Sequence, residues 1–277
     1  MYISEILLHE KSLPKIDLVG IISHALSITK ERVFAEPERI LRPPELSRIR
    51  EMIEARRRGK PFAYLTHCKE FFSEPFYVDE RVLIPRPETE LLVEEALRAI
   101  RESHRPLRVL DMGCGSGIIG IMLAKGGAEK VFSADISPAA LAVAKWNARA
   151  LAVEDKITFI ASDLFSAVKS GTTFDLICAN LPYVSVREWE NLEDDVRLFE
   201  PKQALVGGKE GIELYVRYLK ELTAYLGRAG TVLCEIGGDS QADVIGSVLS
   251  STGLKVAVKK DLAGRKRVVK GSWTNLS

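Results

Sequence analysis

From Arg108 onward the chain repeats one rhythm, a short apolar run followed by a stretch with helical spacing. The runs are "RVLDMG", "KVFSADI", "KITFIAS", "FDLICAN" and "GTVLCEIG". Several of them are apolar without the polar alternation of a half-exposed strand. Such strands are buried on both faces, and helices laid over both sides of a mostly parallel sheet provide that burial. Two further runs, "KVAVKKD" and "RKRVVKG", follow each other too closely for a helical crossover and read as an antiparallel pair. The expected fold is α/β, a seven-stranded doubly wound Rossmann-like sheet from residue 85 to 277.

Residues 1–60 read differently. "IDLVGIISHAL" has apolar residues at helical spacing, and "PPELSRIREMIEARRRGK" opens on proline and ends in basic residues around Gly59. A small helical domain is expected there. Residues 61–84 turn aromatic and β-branched, with Ser-Glu-Pro and Asp-Glu as turn candidates, so they read as a β-hairpin linker. "ARRRGK" is a solvated helix end, because cations suit that terminus.

Lys and Arg number 39 against 38 Asp and Glu, so no global field draws the chain to nucleic acid or to a membrane. Direct nucleic-acid binding is not expected. Cys68, Cys114, Cys178 and Cys234 have no paired spacing, and the four histidines none that suits a metal. No metal is expected, and the thiols read as reduced. With no apolar span of membrane length, a cytoplasmic monomer is the expectation.

The first strand runs into "DMGCGSG", with Gly113, Gly115 and Gly117 at a strand-to-helix turn. Glycine there permits positive φ and close approach of a ligand to the backbone, and the next helix offers free N–H groups. Ile118 stands where a dinucleotide fingerprint needs glycine, and no Lys-Ser/Thr pair makes a P-loop. The second strand ends in Asp135, whose carboxylate can accept both hydroxyls of a ribose. The third ends in "SDLF", where Asp163 can hold an adenine edge. Taken singly, each acid could be a helix cap. Together they fall in the order seen in proteins that bind S-adenosylmethionine, the cofactor expected here.

The fourth strand ends in Asn180-Leu181-Pro182-Tyr183. A planar amide or exocyclic amine is a poor nucleophile because its nitrogen lone pair is delocalised. If the Asn180 side-chain oxygen and the Leu181 carbonyl each accept one N–H, electron density builds on that nitrogen and aims it at a methyl donor. Tyr183 can stack on the flat group, and Pro182 fixes the turn. Leu181 is expected to contribute its carbonyl alone.

These motifs resemble the release-factor glutamine N5-methyltransferase family. The resemblance covers "GKPFAYLTHCKEFFSEPFYVDERVLIPRPETELLVEEAL", "LDMGCGSG", "EPKQALVGGKEGIELY" and "DLAGRKRVVKG", with "IPRPETE", Ile84 to Glu90, the most specific segment. It implies a methyltransferase sheet preceded by a small helical domain that recognises substrate. It also implies transfer of a methyl group from S-adenosylmethionine to the Gln of the Gly-Gly-Gln motif in peptide-chain release factors. Carried onto this chain, the implied cofactor residues are Asp111, Gly113, Cys114, Gly115, Ser116, Gly117, Asp135, Asp163, Leu164 and Asn180. Those for the substrate are Asn180, Leu181, Pro182 and Tyr183, with Asn180, Pro182 and Tyr183 catalytic. The family pattern is Asn-Pro-Pro-Tyr, so Leu181 is a departure. Asn-Leu-Pro-Tyr also resembles the ribosomal-RNA adenine dimethylases, which makes N6-adenine methylation the alternative. Those enzymes add a helical domain after the catalytic one, whereas the extra residues here come first. A catalytically silent adenosyl-binding module would need a broken glycine loop or a missing Asn, and both features are intact.

Overall fold

The computed structural model describes residues 1–273. They divide into two compact units, residues 1–68 with 193–199, and residues 69–192 with 200–273.

The first unit opens with five helices, α1 (Ile3–His9), α2 (Lys15–Leu26), α3 (Lys30–Ala35), α4 (Pro43–Arg57) and α5 (Phe62–Thr66). Ile3, Leu18, Ile21, Ile22, Val33 and Ile49 meet in its core with almost no exposure. Each such side chain contributes about 1.5–3 kcal/mol of burial. Gly20 of α2 lies under the Phe62 ring, where a Cβ would come within 2.5 Å of the ring edge. The basic end of α4 is spent on ion pairs. Arg56 bonds Asp17 at 2.8 Å, Arg57 pairs with Glu10, and Arg58 reaches Glu54.

The second unit opens on a hairpin, β1 (Lys69–Phe71) and β2 (Glu74–Phe76). Its turn falls at Phe72 and Ser73, both at positive φ (+51° and +60°), so only the serine of the expected Ser-Glu-Pro lies in the turn, and Glu74 and Pro75 belong to β2. Pairing stops at Phe76. Beyond it the Asp79 carboxylate accepts the Arg81 N–H (3.1 Å) and guanidinium, and the Ile84 N–H goes to the Glu200 side chain at 3.0 Å. Those donors are thereby taken from any longer ladder.

The chain then runs through α6 (Thr89–Glu102), β3 (Arg108–Met112), α7 (Ile118–Lys125), β4 (Lys130–Asp135), α8 (Pro138–Ala150), β5 (Ile157–Ala161) and β6 (Phe174–Ala179). It continues through β7 (Val184–Ser185), α9 (Val186–Glu190), α10 (Asp194–Phe199, in the first unit), α11 (Lys202–Leu205), β8 (Val206–Gly208) and α12 (Glu213–Tyr225). The last elements are β9 (Leu226–Glu235), α13 (Asp239–Ser251), β10 (Leu254–Lys260) and β11 (Lys266–Trp273). Seven strands form one sheet in the order β10-β11-β9-β6-β3-β4-β5. The five from β9 to β5 are parallel, and β11 runs antiparallel to both neighbours.

Both faces of the central strands β3, β6 and β9 are buried, which explains their near-continuous apolar runs. Leu110, Ile177, Ala179, Val232 and Cys234 face α12 and α13, while Val109, Leu176, Cys178 and Leu233 face α6 and α7. The chain leaves β3 toward β4 and β5, then returns to lay β6 on the other side of β3. In an open parallel sheet, the crevice beyond the C-terminal ends of such a strand pair is where ligands bind.

Candidate active site

At the end of β3 the backbone passes through Gly113, Gly115 and Gly117 at φ +75°, +53° and +86°, a region open to glycine and costly for other residues. The N–H groups of Gly113 and Cys114 both donate to the Ala134 carbonyl of β4 (2.8 and 3.0 Å), tying the loop to the neighbouring strand. A Cβ on Gly115 would meet nothing within 4 Å, so the loop presents open backbone there.

Asp135, at the end of β4, holds the loop from the side. Its Oδ2 accepts the Gly115 N–H and its Oδ1 the Ser137 N–H, each at 2.8 Å. Burial pushes its carboxyl above the ordinary value, and these N–H bonds work against that. Each oxygen keeps a further lone pair for a ligand hydroxyl. Asp111 differs. It is fully buried behind the loop, accepts the Gly120 N–H at 2.9 Å, and has no partner at Oδ1. Burial, with the Asp135 charge adding to it, raises its carboxyl to about 7.

Asp163 follows β5 and is bonded to Arg217 of α12 at 2.8 Å in an exposed pair. Leu164 sits at φ +50°, its carbonyl bound by the Ser162 hydroxyl at 2.6 Å. Ile136 is half exposed beside them and offers an apolar face for a flat base.

Beyond β6, the Asn180 side-chain amide donates to the Thr89 hydroxyl at 3.2 Å. Leu181 does more than offer a carbonyl. Its side chain is buried, with Cδ2 3.0 Å from where a Gly113 Cβ would stand, and its N–H donates to the Tyr215 hydroxyl at 3.3 Å. That hydroxyl in turn donates to the Glu235 carbonyl at 2.5 Å. The Gly-rich "VGGKEG" segment closes over the same turn. A Cβ on Gly207 would stand 2.2 Å from the Pro182 oxygen, and one on Gly211 2.4 Å from the Tyr183 oxygen. The Tyr183 carbonyl accepts the Gln241 amide at 2.8 Å, and its ring lies against Gly237. Burial, with the Glu235 charge second, lifts the Tyr183 phenol to about 12.

Arg86 of "IPRPETE", which helix initiation left unexplained, pairs at 2.6 Å with the buried carboxylate of Glu200. This ties the entry to α6 to "EPKQALVGG".

These elements enclose one cavity of about 450 Å³, within the range of small-molecule sites. Gly113, Cys114, Gly115, Ser116, Asp135, Asp163, Leu164, Asn180, Leu181 and Pro182 line it. Asp111, Gly117 and Tyr183 do not. Asp111 lies beneath the loop, Gly117 packs on Ile121 and Ala144, and the Tyr183 ring turns toward Gly237. Four residues of this region were not singled out in the sequence, although Thr89 and Tyr215 lie in segments that carry the family resemblance: Thr89, Ile136, Tyr215 and Glu235. Thr89 sat within a helix-initiation motif, Ile136 and Tyr215 look like ordinary apolar or core positions, and Glu235 closes an apolar strand. Only the pairing of β6 with β9 brings Glu235 to Asn180.

The Methyltransferase small domain family matches residues 87–198, and the PrmC N-terminal domain family matches residues 5–66. A release factor glutamine methyltransferase from Rhodopirellula baltica is 37% identical over 262 residues, 92% of this chain and 88% of that protein. One from Koribacter versatilis is 38% identical over 260 residues, 93% of this chain and 91% of its own. Among solved structures, a methyltransferase from Pyrococcus furiosus superposes with a TM-score of 0.55 at 17% identity, over 79% of this chain and 98% of that one. That last likeness shows the fold.

Proposed function

This chain belongs to the release factor glutamine methyltransferase family, and from that membership we propose how its cavity carries out the reaction. The substrate is the glutamine of the Gly-Gly-Gln motif of a peptide-chain release factor, methylated on its side-chain nitrogen, N5. The co-substrate is S-adenosylmethionine, which supplies an electrophilic methyl group when bound. The glycine cradle fits it, with open backbone at Gly115 and a carboxylate at Asp135 that has acceptor capacity left. We assign the ribose hydroxyls to Asp135 and the adenine edge to Asp163 and Leu164, with Ile136 beneath the base.

The observation that carries this reading is that the glycine loop and the Asn180-Leu181-Pro182 turn line one cavity, at the switch point between β3 and β6. Asn180 Oδ1 and the Leu181 carbonyl each accept one N–H of the glutamine amide. That localises the lone pair on the nitrogen and holds it in line for attack. The nitrogen bonds the methyl as that methyl's bond to sulfur breaks, the electron pair of the broken bond staying on sulfur, and it releases one proton to solvent. Positioning and fixed dipoles do the work. We assign contacts with the release factor away from the chemistry to the first unit. The protein is expected to act in the cytoplasm, and no described helix is long and apolar enough to cross a membrane.

Replacing Asn180 tests this directly. Asn180→Ala should lower kcat on the order of a hundredfold or more, the usual effect of losing one preorganised partner, while calorimetry still shows cofactor binding. Undiminished turnover would remove Asn180 from the reaction.

A further inference from the structure

Glu235 is a carboxyl group buried at the end of a sheet strand. It ends β9 with almost no exposure, and its Oε2 has no hydrogen-bond partner. Burying a carboxylate without full pairing is costly, and an apolar side chain of the same size would be cheaper. Its position explains its presence. In the parallel register of β6 and β9, Ala179 pairs with Cys234, so the next step sets Asn180 beside Glu235. Cys178 and Leu233 face α6, and two-residue alternation puts Asn180 and Glu235 on that same side. Thr89, at the first turn of α6, is there to meet them, buried and bonded to the Asn180 amide nitrogen at 3.2 Å.

We propose that Glu235 and Thr89 are positioning residues that fix which end of the Asn180 amide faces the cavity. The inference rests on the assignment of Asn180 as acceptor for the substrate amide. An ionised carboxylate only accepts hydrogen bonds, so the neighbouring amide must turn its NH₂ group toward it. Thr89 takes one of those N–H groups, and Oδ1 is left pointing to the cavity. The reversed amide would set Oδ1 against the Glu235 carboxylate and its NH₂ against the substrate's NH₂. Both contacts are repulsive, so one orientation is held before substrate arrives.

The electrostatics agree with this placement. Burial raises the Glu235 carboxyl to about 7, while the Thr89 hydroxyl and Asn180 amide are among the groups that pull it down. Glu88, from the start of α6, raises it, and Arg267 of β11 lowers it. Tyr183 and Tyr215 also face it, but their phenols are shifted upward, away from neutrality. As pH falls through the Glu235 pKa the carboxylate gains a proton, becomes a donor as well, and no longer discriminates the two amide orientations.

The test compares Thr89→Val, Thr89→Ser, Glu235→Met and Asn180→Ala in the full chain, using S-adenosylmethionine and a release factor. Thr89→Val and Glu235→Met should each lower kcat on the order of tenfold or more with the calorimetric cofactor Kd unchanged, and Thr89→Ser should recover most of the loss. The acidic limb of kcat in the parent protein should be missing in Glu235→Met. If Glu235→Met fails to fold, the contrast between Val and Ser at position 89 decides alone. Turnover at the parent rate in Thr89→Val, with Asn180→Ala inactive, overturns this inference and leaves the proposed function standing. Full turnover in Asn180→Ala overturns both.

Discussion

Leu181 does two things that a proline in its place could not. It donates its N–H to the Tyr215 hydroxyl at 3.3 Å, and its branched side chain fills the space under Gly113. The turn is therefore held from α12 as well as by its own backbone. Tyr215→Phe leaves the Leu181 N–H and the Glu235 carbonyl without that partner, at a cost of about 1–3 kcal/mol in urea unfolding. In a Leu181→Pro background the N–H is already gone, so the same change should cost less, with a coupling of roughly 0.5–3 kcal/mol. Strict additivity would show that the two residues do not act together. Asp135 gives a second residue-scale expectation. Asp135→Ala should weaken cofactor binding by about 1–3 kcal/mol in calorimetry, since ligand hydroxyls lose their acceptor. Unchanged affinity in a folded variant would take Asp135 out of the site. The sequence made Asp135 and Asn180 visible because each stands at the end of an apolar strand. It could not reveal Tyr215 or Glu235, whose roles depend on a hydroxyl and a carboxyl meeting a turn far away along the chain.

Among the elements, the five parallel strands were legible from their apolar runs and the last two from their closeness along the chain. The hairpin turn was legible only in part. Ser73 opened a turn candidate but Phe72 carries no turn signal, yet both adopt positive φ, with the Phe72 ring 5.2 Å from that of Phe71. Packing overrides local preference there. Arg86 was likewise opaque, because its partner Glu200 lies 114 residues on. The glycines of "VGGKEG" gain their meaning from β8 closing over the Asn-Leu-Pro-Tyr turn. Gly207→Ala would force the Pro182 carbonyl to move, since the new Cβ would start 2.2 Å from it. A displacement of about 1 Å at a reacting group can cost on the order of a hundredfold, so kcat should fall by that order while cofactor binding persists. Gly238→Ala is the control, because a Cβ there meets nothing within 4 Å. Equal effects from the two substitutions would argue against β8 as a clamp on the turn.

Across the whole molecule, one carboxyl in each unit should shape the pH dependence of stability, with opposite signs. In the first, the Arg42 guanidinium above all holds the Glu45 carboxyl at about 2, below its ordinary 4.5. A depressed carboxyl gives stability that is present above its unfolded value and lost as pH falls toward the folded one. In the second, burial raises Asp111 to about 7 from 3.8. The sign reverses, so its contribution is complete below 3.8 and is lost as pH rises through about 7. Glu45→Gln should flatten the acid limb of a stability profile measured by chemical unfolding, and Asp111→Asn the slope approaching neutrality. Slopes unchanged in both variants would refute this assignment. The near balance of charge, 39 basic against 38 acidic residues, suits a partner met by shape and a few polar contacts more than by a cationic groove. The most direct measurement of the central claim is mass spectrometry of a purified release factor after incubation with the full chain and S-adenosylmethionine. The account predicts one methyl on the side-chain nitrogen of the Gly-Gly-Gln glutamine, absent when that Gln is replaced and absent with Asn180→Ala. A methyl found elsewhere on the release factor, or none at all from a protein that binds the cofactor, would contradict it.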